Sequence, residues 1–137
     1  MIVADASVVL KWFLPDEPGT DAALELRTRH VLASDSIVVP ALLAYEVANT
    51  LALTPRLSEE EAVEAWDALL ELDLLVSPAD SDQMRRAIHL ATAAKVSVYD
   101  ATYVALAEAL HSDFVTADVK LVRKLAKHDV QCAVRVL

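Results

Sequence analysis

Four acidic residues stand where the sequence gives a carboxylate little structural company, and oxygen donors of that kind are the equipment for holding a hard cation such as Mg2+ or Mn2+. Asp5 closes the first apolar run, Ile2-Val3-Ala4. Glu46 interrupts the apolar stretch from Ala41 to Leu53, Asp100 follows Ser97-Val98-Tyr99, and Asp118 comes two residues after Phe114-Val115-Thr116. Most of the 21 Asp and Glu residues lie in polar surroundings and call for no such account. Glu46 is the most telling of the four. No Lys or Arg stands three or four positions from it, so burial would leave its charge unpaired at considerable cost. Asn49 and Thr50, three and four residues on, continue a polar stripe along the same helical face. Four converging carboxylates would repel one another unless a cation neutralised them.

Each acid also has a structural alternative. Asp5 before Ser7 spells an Asx turn or helix cap, the simpler account of that residue taken alone. Ser97 with Asp100 spells a capping box, and Asp118 can cap the basic segment that follows it. Glu46 can point to solvent. Position favours chemistry: Asp5 and Asp118 both fall just past strands, where an open parallel sheet gathers its ligands.

Composition removes several competitors. The chain has one glycine, Gly19, so no G-x-G-x-x-G, Walker A loop or G-x-S-x-G elbow can be written. The single Cys132 can form neither an internal disulfide nor a cysteine zinc site, and its setting reads as core. His30, His89, His111 and His128 show no H-E-x-x-H spacing. A Ser-His-Asp triad has no nucleophile motif to support it. The net charge of −9 has the wrong sign for gripping nucleic acid by bulk electrostatics, yet the acidity is local. Ser58 to Asp73 carries seven acids and no base, whereas Phe114 to Leu137 carries five bases and two acids.

The elements that must position these residues alternate. Strands are expected at Met1–Ala4, Ser36–Val39, Leu74–Val76, Phe114–Thr116 and Cys132–Leu137. Helices are expected at Ser7–Leu14, stopped by Pro15; from a Thr20 cap, with Ala23, Leu24, Leu26 and Val31 inward; and over Ala41–Leu53, started by Pro40 and buried on most sides. Further helices follow. One is capped by Ser58 with Val63, Trp66, Leu69 and Leu70 on one side, and one runs from an Asp80 or Ser81 cap to about Lys95. The last two cover Val98–His111 and the basic Asp118–His128. This pattern predicts a single domain over 1–137: a three-layer α/β/α sandwich around a mainly parallel sheet of about five short strands. No apolar stretch reaches the ~20 residues that cross a bilayer. With no positive leader ahead of Asp5 and no disulfide framework, a cytoplasmic protein is expected.

Four short segments carry a family resemblance: Asp5-Ala6-Ser7; Glu46-Val47-Ala48-Asn49; Tyr99-Asp100-Ala101-Thr102-Tyr103-Val104-Ala105-Leu106-Ala107; and Thr116-Ala117-Asp118. In order and spacing they resemble the PIN domain, specifically the VapC-type toxin ribonucleases of toxin–antitoxin pairs, over essentially the whole chain. The resemblance implies an acidic pocket of Asp5, Glu46, Asp100 and Asp118 that holds Mg2+ or Mn2+, with Ser7, Asn49 and Thr116 in support. It implies an RNA substrate, a cognate VapB-type antitoxin and a homodimer. Some members carry a further acid soon after the last one; here Val119-Lys120-Leu121 follows Asp118. The hydrolysis of a phosphodiester fits such a pocket, because a divalent ion activates water near neutral pH and offsets transition-state charge. Lys11, Lys120, Arg123 and Lys124 are candidates to guide the RNA backbone, with a solubilising helix surface as the alternative for each.

Two further classes compete. One is a PIN-like module that binds RNA or a partner without cutting, its acids serving as caps. The other is a small metal-dependent phosphatase, which Asp5-Ala6-Ser7 disfavours because no D-x-D follows the first strand, or a receiver-like domain, for which neither an adjacent acidic pair near the first strand nor a lysine at a late strand end stands out.

Overall fold

The computed structural model describes residues 1–137. Strands β1 (Ile2–Ala4), β2 (Ile37–Pro40), β3 (Leu75–Ser77), β4 (Asp113–Thr116) and β5 (Val134–Val136) form one sheet in the order β3-β2-β1-β4-β5, every neighbouring pair parallel. Helices α1 (Ala6–Val9), α2 (Thr20–Val31), α3 (Leu43–Leu53), α4 (Glu59–Glu71), α5 (Ser81–Ala94), α6 (Val98–Ala109) and α7 (Val119–Leu125) make the connections. Parallel pairing needs long crossovers, and covering both faces is what makes β1 and β2 read as unbroken apolar runs. All residues of those two strands are buried, while the edge strands β3 and β5 are partly open. No helix is long and apolar enough to cross a membrane.

Several caps form as their sequences spell them. Ser58 accepts from the Glu61 amide at 3.1 Å while Glu61 Oε2 accepts from the Ser58 amide at 2.7 Å, a closed capping box. Asp80 accepts from the amides of Asp82 and Gln83. Other expectations are corrected. The first helix becomes a 3-10 turn at Leu10–Trp12, tightening ahead of Pro15. Gly19, with φ +83°, occupies the cap position of α2, and the Thr20 hydroxyl turns back onto the preceding loop. Pro40 ends β2, where the ladder no longer needs its missing amide, instead of starting α3. Val31, Val63 and Leu70 face solvent.

The largest correction concerns which helix is enclosed. α3 buries only Leu43, Val47 and Leu51, spaced by one turn, and Tyr45 is 80% exposed. α6 is the wrapped one: Ala101 and the consecutive run Tyr103 to Ala107 are all buried. It lies between α5 and the central strands β1, β2 and β4, so small residues on every side serve packing there. Arg86 on α5 reinforces that contact through a two-pronged bond to Glu108 at 2.7 and 2.9 Å.

Candidate active site

Because all five strands run the same way, the chain leaves β1 at Asp5 and β4 at Ala117-Asp118 on one edge of the sheet. Asp5 is only 7% exposed. Its Oδ1 accepts from the amides of Ser7 at 3.0 Å and Val8 at 3.3 Å and from the Ser7 hydroxyl, capping α1. Oδ2 accepts no hydrogen bond and is not sealed from solvent. Burial pushes the Asp5 carboxyl above its ordinary 3.8, against the pull of hydrogen bonding from Ser7, Thr116 and the amides of Val8 and Ser7.

Ser7 and Thr116 tie the two strand ends together. Ser7 Oγ accepts from the Ala117 amide at 2.8 Å and lies 3.3 Å from Thr116 Oγ1, which accepts from the Asp118 amide at 3.0 Å. With Asp5 ionised, proton direction follows. A carboxylate only accepts, so Ser7 donates to Asp5, and the Thr116 proton is left to Ser7 Oγ or to Asp5 itself. Thr116 is fully buried, and this chain of bonds fixes Asp5 against the start of the β4–α7 connection.

Glu46 is half-buried in the first turn of α3 and accepts a short hydrogen bond from Tyr103 Oη. Burial raises its carboxyl above the ordinary 4.5; the Tyr103 hydroxyl opposes this, and the negative charges of Asp100 and Asp5 add to the rise. Tyr103 itself is raised, first by burial and then by that bond. Asp5, Glu46 and Asp100 therefore share one electrostatic neighbourhood. The Asp100 amide donates to Ser97 Oγ at 3.0 Å, but its carboxylate does not return the bond, so only half of the expected capping box forms and both Asp100 oxygens stay uncommitted.

Asp118 is placed differently. It is exposed, and its Oδ1 caps α7 by accepting from the amides of Lys120 at 2.8 Å and Leu121 at 3.0 Å. It lines an open groove of about 620 Å³ together with Ser7, Thr50, Lys120, Lys11 and Glu17. Asn49 is exposed and makes no hydrogen bond to the acids; its neighbour Thr50 reaches the groove instead. Of the basic candidates, Lys120 and Arg123 are exposed, Lys124 Nζ is spent on the Lys95 carbonyl at 3.0 Å, and Lys11 is buried against Glu17.

The donor set suits a hard cation, being all carboxylate oxygen, with free oxygens on Asp5 and Asp100 and unneutralised negative charge between them and Glu46. In the conformation seen, no three acidic, histidine or cysteine side chains close on one point. Sequence reasoning passed over Tyr103 as a site residue, although it stands three residues after Asp100, the one hydroxyl in the run Tyr103 to Ala107.

A model of the PIN domain matches residues 2–127. The chain belongs to the PIN-domain family. Within it, the chain is 34% identical over 127 residues to the ribonuclease VapC3 of Pyrobaculum aerophilum, covering 90% of this chain and 93% of that one. It is equally 34% identical, over 125 residues and 88% of each chain, to the ribonuclease VapC9 of Mycobacterium tuberculosis. Its fold matches VapBC2 from Rickettsia felis, solved bound to a promoter DNA fragment, with a TM-score of 0.73 at 14% identity over 100% of this chain and 99% of that one. It also matches FitAcB from Neisseria gonorrhoeae, with a TM-score of 0.69 at 18% identity over 98% and 96% of the two chains.

Proposed function

We propose that the protein is a VapC-type endoribonuclease, the toxin of a toxin–antitoxin pair, and that Asp5, Glu46, Asp100 and Asp118 hold Mg2+ or Mn2+ at an RNA phosphodiester. The observation that carries the reading is the Asp5 carboxylate: nearly buried, anchored through one oxygen, open through the other, at the sheet's ligand-binding edge, with its charge and that of Asp100 bearing on Glu46. When bound, the cation supplies a nucleophilic water near neutral pH and a counter-charge for in-line displacement.

The chain's own groups divide the remaining work. Asp5 is oriented by Ser7 and, through it, by Thr116. Asp100 has no competing hydrogen bond and is the group free to take a proton from the attacking water. Tyr103 fixes Glu46. Lys120 and Arg123, on the exposed side of α7, meet the RNA backbone. With 5% aromatic residues the chain offers no extended base-stacking platform, so selectivity rests on RNA shape. A VapB-type antitoxin partner, supported by the toxin–antitoxin complexes among the fold's neighbours, a homodimeric state and a cytoplasmic location complete the proposal.

Protein purified free of inhibitor is expected to cleave RNA with Mn2+ or Mg2+ and to lose cleavage both in chelator and as Asp5→Asn. Cleavage indifferent to both changes would sink the proposal. The capping role of Asp118 favours a second reading, a PIN-like module that binds without cutting. A melting temperature unmoved by either cation would favour that module.

A further inference from the structure

Lys11 is a charge that the chemistry above leaves unused. It lies in the 3-10 turn after α1 on the wall of the groove that Ser7 and Asp118 also line, and its side chain is 8% exposed. Burying an ammonium ion is costly unless it is well paired. Its one ionic partner is Glu17 Oε2 at 3.2 Å, and that partner is 53% exposed.

The segment carrying Glu17 is built to present it. Pro15 and Pro18 restrict the backbone on either side. The Thr20 hydroxyl lies 2.7 Å from the carbonyl oxygens of both Pro15 and Glu17, sharing its proton between them. Gly19 turns the chain at φ +83°, where an added Cβ would sit 3.4 Å from Leu137 Cβ and 3.7 Å from Lys11 Cε. The loop thus delivers one carboxylate to one buried ammonium from the solvent side of the groove.

An ammonium ion accepts a carboxylate oxygen or a phosphate oxygen on the same terms, as a compact point charge. We infer, resting on the nuclease reading, that Lys11 is a subsite for a backbone phosphate of the substrate, and that Glu17 occupies it at rest. RNA then binds by displacing the Glu17 carboxylate into water, for which its exposure suits it. The loop acts as an internal competitor on the wall of the groove that Asp118 also lines.

Equilibrium binding of a 5′-fluorescein single-stranded RNA, followed by anisotropy in chelator, tests this without depending on cleavage. Glu17→Gln is expected to tighten Kd by about threefold to tenfold, and Lys11→Gln to weaken it by about tenfold, the scale of one charge-assisted hydrogen bond. In the double variant the benefit of Glu17→Gln should vanish. Asp21→Asn removes an equal charge from the exposed first turn of α2; if it tightens binding as much as Glu17→Gln, general charge is responsible and the subsite is overturned. A Glu17 effect that persists without Lys11 overturns it too. Should Lys11→Gln not fold, the Glu17 and Asp21 variants decide alone. Asp5→Asn cleaving total RNA at the wild-type rate would instead defeat the nuclease reading, while an inactive Asp5→Asn with no Glu17 effect defeats only the subsite.

Discussion

Asp5 and Asp118 perform the same local task at adjacent strand ends. Each caps the following helix by accepting two backbone amides on its Oδ1. Yet Asp5 is buried, raised in pKa and coupled to Glu46, whereas Asp118 is exposed and looks into a groove. A cap motif is therefore no argument against a functional role, since one oxygen satisfies the helix and the other remains available. Surroundings separate the two residues: Asp5 follows directly on the buried middle strand β1 and leads into α1, which packs against α3 and β4, while Asp118 stands two residues past the end of β4 and is exposed.

The strongest way to break this comparison is Asp5→Asn, which preserves an acceptor for the cap but removes the charge. RNA cleavage is expected to fall by at least about a hundredfold, with the melting temperature of metal-free protein held or raised because a desolvated charge is gone. A large loss of stability would make Asp5 a structural residue. Asp118 comes next. Asp118→Asn should keep stability and still lose cleavage about tenfold or more, whereas Asp118→Ala should add a stability loss of about 1 kcal/mol from the lost cap. An active Asp118→Asn would reduce that residue to its cap and leave three acids in the site. Tyr103→Phe sharpens the Asp5 side: it keeps the ring stacked on Phe114 but frees Glu46, and calorimetry should show Mn2+ binding weakened by about threefold to tenfold.

How far these residues could be read from sequence depended on how local their causes are. Ser58 and Asp80 act on amides two or three residues away, so their caps were legible, as were the apolar strands. Pro40, Thr20 and the exchanged burial of α3 and α6 were not, because each is decided by what packs alongside, which periodicity does not record. The same division holds at the site. Asp5, Glu46 and Asp100 stand out as carboxylates in apolar company, and in the fold the charges of Asp100 and Asp5 bear on Glu46. Tyr103 and Glu17 act through partners 57 and 6 residues away, and only the folded chain pairs them. Lys11 and Lys124 read as candidates to guide the RNA backbone or as solubilising surface, and neither reading foresees the loop carboxylate and the helix-terminal carbonyl that hold them.

The smallest expected effect is in pH dependence. Asp5 and Glu46 have folded-state pKa values raised above the ordinary 3.8 and 4.5, so their contribution to stability is fully present below those values and is lost as pH rises through the folded ones. Metal-free protein should lose a few degrees of melting temperature from these two groups as pH climbs from about 4 towards neutrality. Added Mn2+ should flatten that slope in wild type, and Asp5→Asn should remove the Asp5 part of it. A slope unchanged in Asp5→Asn would place its origin elsewhere.

The bond between Ser7 and Thr116 joins residues 109 positions apart, and β1 finds its β4 neighbour only when that late segment exists. During synthesis the first acid thus emerges from the ribosome long before the strand that steadies it. The acid at the end of β1 is therefore held in place only once the chain has been synthesised through Thr116 and Ala117.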